Sequence, residues 1–225
     1  MTDPSALSYR EFRKHDHLAR KNDIQENILR IEEGWASRNC VLPDGRRAIT
    51  SFFLPGDYCE PHWLLSGKAD LPIVALTNIK ARLIPLADIH SRREHGVKDL
   101  LGSILTMHRR QTDMAVSLAR KSALERVSGL LHELFTRLDA AGQAVGDRCS
   151  IPLTQQDIAD MLGLTSVHVN RVLSELKSRG TIRLASKTLR ILNPATFDAS
   201  HSSFAEPGSP SRIPPISSRP KVVAA

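Results

Sequence analysis

A chain of 225 residues with 41% hydrophobic residues carries enough apolar material for two modest domains or one large one. Its 31 lysines and arginines outnumber 24 acidic residues to leave a formal charge of +7, which favours a polyanionic partner because each neutralised phosphate releases condensed counterions. Cys40, Cys59 and Cys149 are too scattered for a disulfide framework or zinc finger, the opening Met1-Thr-Asp-Pro-Ser5 lacks an apolar signal core, and no apolar run approaches a membrane span, so a cytoplasmic chain with no membrane partner is expected.

Up to about residue 90, short extended runs alternate with turn signals. The runs are Asn27 to Ile31, Trp35 to Leu42, Arg47 to Leu54 and Ile73 to Ile84, separated by Glu33-Gly34, Pro43-Asp44-Gly45 and Pro55-Gly56-Asp57. Asp44-Gly45 suits a tight hairpin turn. Strands at this spacing, without long helices between them, predict an antiparallel sandwich or barrel, a shape that commonly mouths a ligand. His15 and His17 would share one face of a strand. Cys59-Glu60-Pro61-His62 offers metal-ligand chemistry, but a single short cluster without a second one reads as structure, so no metal and no other cofactor is assigned. The segment Pro55 to His62 partly matches the first metal motif of a cupin enzyme, yet Leu64 and Leu65 stand where that motif continues. No nucleophile, base and oxyanion set accompanies it, and the chain is not expected to be an enzyme.

From Val97 the pattern becomes a long helix. Val97, Leu101, Ile104, His108, Gln111, Ala115 and Leu118 alternate at spacings of four and three, a heptad seam suited to a parallel dimer, with polar His108 and Gln111 setting register. Leu100, Met107 and Met114 mark a second stripe for packing on the chain's own N-terminal region. Ser122 with Glu125 forms a capping box that starts a new helix carrying Val127, Leu130, Leu131, Leu134 and Leu138, and a domain boundary is placed there.

The stretch from Leu153 to Leu176 reads as two short amphipathic helices joined at Gly163, a helix-turn-helix. Thr154 and Asp157 cap the first helix, whose inward face is Ile158, Met161 and Leu162. Thr165 caps the second, whose apolar residues Val169, Val172, Leu173 and Leu176 leave Ser166, His168, Asn170, Arg171, Ser174 and Lys177 on other faces. Gly180 follows, and Thr181 to Leu192 supplies two alternating runs around Ser186-Lys187, the hairpin of a winged helix. Motif and context together point to double-stranded DNA.

Gly34, Leu42-Pro-Asp-Gly-Arg-Arg47, Phe53-Leu-Pro-Gly-Asp57, a long helix and a winged helix, in that order, resemble the Crp/Fnr superfamily of bacterial transcription regulators over about Phe12 to Pro194. The most specific part is Thr165-Ser-Val-His-Val-Asn-Arg171, which looks like the start of that family's recognition helix, with Arg171 where a base-reading arginine usually stands. The resemblance implies an α+β fold: a β-roll related to cyclic-nucleotide-binding domains over 1–95, a dimerisation helix over 96–121 and a winged helix-turn-helix over 122–196; the tail over 197–225, rich in Pro and Ser and without a packing period, is expected to be disordered. The resemblance also implies a homodimer that reads a near-palindromic operator, with Thr154, Gln155 and Lys187 positioning the backbone, and RNA polymerase as a further candidate partner. Gly56, Asp57 and Glu60 would mark an effector pocket for an unidentified small molecule.

Two departures qualify the match. Cyclic-nucleotide binders of the family carry Gly-Glu and, about ten residues on, Arg-Ser or Arg-Thr; here Glu60-Pro61 and Leu71-Pro72 fall at those positions, so the phosphate anchor is missing and cyclic AMP is not the expected effector. Val167 stands where relatives have a base-reading glutamate. The competing reading from another class is a small-molecule sensor whose winged helix serves protein contacts; a cupin-like metal enzyme is the least supported.

Overall fold

A computed structural model of the chain describes residues 8–91 and 95–193. The tail with its Arg212, Arg219 and Lys221, and the opening five residues, lie outside that range. The N-terminal part is a roll of two antiparallel sheets. One contains β1 (Ser8–Phe12), β3 (Asn27–Glu33), β6 (Tyr58–Cys59) and β8 (Ile79–Pro85), in the order β1-β8-β3-β6. The other contains β2 (His17–Ala19), β4 (Ala36–Val41), β5 (Arg47–Phe53) and β7 (Ile73–Ala75), in the order β2-β7-β4-β5. Alternation places Leu29, Ile31, Ala36, Phe53, Ile73, Ala75 and Ala81 inward, where they pack with Trp63 of the four-residue helix α1 (Trp63–Ser66).

Three expectations for this region change. The run Ile73 to Ile84 is two strands in different sheets, because Leu76-Thr77-Asn78 turns a corner against Gly34. Thr77 Oγ1 accepts the Trp35 N–H at 2.9 Å, and a β-carbon on Gly34 would stand 2.1 Å from the Asn78 carbonyl oxygen. Only glycine fits there. His15 does not share a strand with His17; it sits at φ 74° in the turn before β2, where its N–H donates to the Ala75 carbonyl. The Asp44-Gly45 pair does lie in a hairpin, but Leu42 N–H to Arg46 C=O closes a wider loop, in which Asp44 Oδ1 accepts from the Arg46 N–H.

Helix α2 (Leu86–Ser91) and the 26-residue α3 (His95–Arg120) follow the roll. Leu100 packs with Ile28 and Ile89, and Met114 joins the larger core, so the second stripe of α3 faces the chain itself as expected. The capping box at Ser122 is complete, and α4 (Ala123–Ala140) starts there. Apolar packing does not stop at that cap. Val127, Leu130, Leu131 and Leu134 of α4 share one core with Trp35, Ile49, Phe52 and Leu54 of the roll.

Beyond α4 come β9 (Ala144–Val145) and β10 (Arg148–Ser150), then α5 (Gln155–Leu162), α6 (Ser166–Ser178), β11 (Ile182–Ala185) and β12 (Thr188–Ile191). The wing expected from two alternating runs is a four-stranded sheet, ordered β11-β12-β10-β9, because a preceding hairpin pairs Cys149 with Leu189. Burial pushes the Cys149 thiol up to about 11, as befits a small apolar core residue. Among the described residues no helix is long and apolar enough to cross a membrane.

Candidate DNA interface

Thr154 Oγ1 accepts the Asp157 N–H at 3.1 Å, while the Asp157 carboxylate accepts from the Thr154 N–H at 2.9 Å and its hydroxyl at 2.6 Å. Reciprocal capping satisfies donors that the first turn of α5 leaves open. Burial opposes the charged form of Asp157, but bonds from Thr154 and Arg47 outweigh it and hold the carboxyl below its ordinary range. Gly163 ends α5 in the left-handed region at φ 63°, and Thr165 then accepts from the His168 N–H to start α6.

Burial of Val169, Val172, Leu173 and Leu176 against α4 and α5 fixes the rotation of α6. Its opposite side is exposed: Val167, His168, Asn170, Arg171, Ser174 and Lys177, with Ser166 half-buried at the shoulder. Asn170 Nδ2 donates to Gln155 Oε1 at 3.2 Å, tying the start of α5 to this face. Thr154 and Thr165 spend their hydroxyls on the caps, so what they present outward is the helix N-termini, where the backbone dipole favours phosphate oxygens.

The wing closes the other side. Ser186 and Lys187 form its two-residue turn at φ 47° and 62°, matching the twist of the flanking strands, and the Lys187 side chain is exposed. Gln155, Lys177, Ser186 and Lys187 border a cleft of about 240 Å³ between α5, α6 and the wing. Arg183, exposed on β11, extends the basic surface; the alternation of Ile182, Arg183 and Leu184 carried that signal in the sequence.

The N-terminal candidates separate. Gly56 and Asp57 line a groove of about 570 Å³ between the roll and the helices, bordered by Lys98, Thr106, Arg110, Glu133 and Arg137. Asp57 is the hub of its wall: Oδ1 accepts from Arg110 at 3.3 Å, and Oδ2 accepts from the Leu54 N–H at 2.7 Å and from Arg137. Glu60 does not join them. It is 2% exposed at φ 48°, paired with Arg38 at 2.7 Å and with His62 Nδ1 at 3.0 Å. The Glu60 carboxylate and, more weakly, that of Asp70 raise the His62 pKa against a smaller opposing effect of burial. Burial, reinforced by the charges of Glu60 and Asp57, holds the Cys59 thiol well above its usual range, which makes it an inert core residue.

On α3, Leu101 and Leu118 are 51% and 38% exposed, His108 and Ala115 are also exposed, and Ile104 is half-buried. Val97 packs beside Leu100, and Gln111 borders the groove. Sequence reasoning missed Arg47, whose Nη2 and Nε donate to Asp157 and Asp160 at 2.6 Å each, joining β5 to the first helix of the helix-turn-helix.

Comparison with known proteins agrees with this arrangement. The cyclic nucleotide-binding domain model matches residues 9–95, and the Crp-like helix-turn-helix domain model matches residues 125–199. The chain is 30% identical over 210 residues to the nitrogen fixation regulation protein FixK of Bradyrhizobium diazoefficiens, covering 87% of each. It is 32% identical over 187 residues to the transcriptional activatory protein AadR of Rhodopseudomonas palustris, covering 81% of this chain and 76% of that one. The structure of FixK2 from Bradyrhizobium japonicum superposes with a TM-score of 0.77 at 26% identity, covering 87% of this chain and 98% of the other. With both domain models matched in order and relatives aligned along most of its length, the chain belongs to the Crp/Fnr superfamily of DNA-binding transcription regulators.

Proposed function

We propose that two copies of this chain, joined along α3, place their α6 helices in successive major grooves of a near-palindromic operator. The observation that carries this reading is the outward face of α6: exposed Asn170, Arg171, Ser174 and Lys177, flanked by the wing lysine, with Val169, Val172, Leu173 and Leu176 turned inward. The Arg171 side chain bonds no other described residue, which leaves its planar fork available for guanine N7 and O6. Ser166, His168 and Asn170 take neighbouring bases or phosphates, and Lys177, Lys187, Gln155 and the capped helix starts at Thr154 and Thr165 position the backbone.

Dimerisation through α3 is supported by its exposed leucines. Leu101, Leu105 and Leu118 lie on a helix that already has an inward stripe, and a second copy would cover them. The groove beside Gly56 and Asp57 is the proposed effector site. It touches α3, α4 and Met161 of α5, so a ligand that fits one arrangement of these helices better than another would bias DNA binding. AadR is described as an activator; a regulator of that kind acts on RNA polymerase, taken here as the third partner.

Selection of bound sequences from random DNA tests the reading. A symmetric motif with half-site centres one helical turn apart, roughly 34 Å, is expected. Recovery of unrelated sequences would refute it and favour a winged helix that serves protein contacts.

A further inference from the structure

Val167 is an apolar side chain left largely in solvent. It is 71% exposed in the first turn of α6, where a β-branched residue adds nothing to helix stability. At about 100° per residue, Val167, Asn170, Arg171 and Ser174 share one side of the helix, opposite the buried Val172 and Leu176. Two polar side chains thus stand one turn beyond it on the same face. If Arg171 engages a base edge, Val167 lies within reach of the neighbouring pairs.

The major groove offers one apolar group to such a side chain, the C5-methyl of thymine. A carboxylate at this position would accept from a cytosine amino group. Valine instead covers that amino group without accepting from it, which selects against cytosine. We propose, on the foundation of the DNA-binding reading above, that Val167 is a specificity-determining residue that reads a thymine methyl group next to the base pair read by Arg171.

The test uses the full-length protein and the operator recovered by selection. Each thymine of a half-site is replaced in turn by deoxyuridine, which removes only the methyl group. At one thymine beside the Arg171-dependent pair, the wild type should lose affinity about four-fold per half-site, the effect of leaving roughly one buried methyl-sized group in water. Val167→Ala should bind the thymine operator more weakly and show little further loss with deoxyuridine. Val167 is exposed, so its unfolding midpoint serves as a control and should not move. A wild type indifferent to deoxyuridine at every position, or a Val167→Ala protein that loses as much as the wild type, would overturn the assignment. A protein that selects no sequence at all would sink the regulator reading together with this one, whereas selectivity without methyl dependence sinks only the role of Val167.

Discussion

The junction between the roll and the C-terminal helices and the outer face of α6 are both rich in cations, yet they use them in opposite ways. At the junction every arginine is paired: Arg47 with Asp157 and Asp160, Arg110 with Asp57, and Arg137 with Asp57, Glu133 and the Phe52 carbonyl. On the outer face of α6 and at the wing, the side chains of Arg171, Lys177 and Lys187 are exposed and bond no other described residue. A paired arginine at a half-buried seam stabilises a geometry. An unpaired one on a rigid helix retains its full capacity for a ligand, because no internal bond must break first.

Breaking the first kind should be costly to the fold. Arg137 is 11% exposed at its side chain, and removing it leaves Asp57 with the longer Arg110 contact and the Leu54 N–H, and the Phe52 carbonyl without that donor. Arg137→Ala should therefore cost about 2–4 kcal/mol in urea unfolding. A loss below about 1 kcal/mol would mean that the seam is held by its apolar core alone. Breaking the second kind should spare the fold: Arg171→Ala should keep its unfolding free energy within about 0.5 kcal/mol and lose about 1–3 kcal/mol of base discrimination at one pair. If competition binding shows unchanged selectivity, Arg171 is not the reader.

What could be read from the chain divides along a related line. The caps at Ser122, Thr154 and Thr165 and the inward stripe of α6 depend on residues three or four apart, so periodicity and capping chemistry made them legible. The split of β7 from β8 depends on Gly34 meeting Asn78, and the Arg47–Asp157 contact spans 110 positions, so neither leaves a local signal. Glu60 is grouped with Gly56 and Asp57 by the family resemblance. Its left-handed backbone and its pairing with Arg38 turn it into the roll, away from the groove. The exposed face of α6 is legible because the buried face defines it; which of its side chains lack partners depends on residues distant in sequence, as the Asn170–Gln155 bond shows.

Arg47 lies between the two extremes, paired but 35% exposed at its side chain. Arg47→Ala should cost about 1–2 kcal/mol, less than Arg137→Ala, because solvent screens the contact and can resolvate the carboxylates left behind. Equal losses in the two variants would show that exposure does not grade the junction. Lys187→Ala should be smaller again in its effect on any one sequence. It should weaken all DNA alike and reduce the slope of log affinity against log salt by about 0.9 per half-site, one phosphate's worth for each protomer. A change confined to the preferred operator would instead make the wing a reader of bases.

His62 extends the comparison to a cation whose charge is conditional. Its ring nitrogens lie 3.0 Å from Glu60 and 3.2 Å from Asp70, and the raised pKa follows first from the Glu60 contact. Because the folded-state pKa lies above the unfolded value of about 6.5, the pairing contributes its full stability below that pH and loses it as pH rises through the folded pKa. The difference in urea midpoint between wild type and His62→Gln should accordingly be largest in mildly acidic buffer and shrink towards alkaline pH, while Asp70→Asn should reproduce only the weaker part of the effect. A pH-independent difference would mean that His62 acts through packing rather than charge. An increase with pH would reverse the sign of the linkage and place the stabilising partner on the neutral ring.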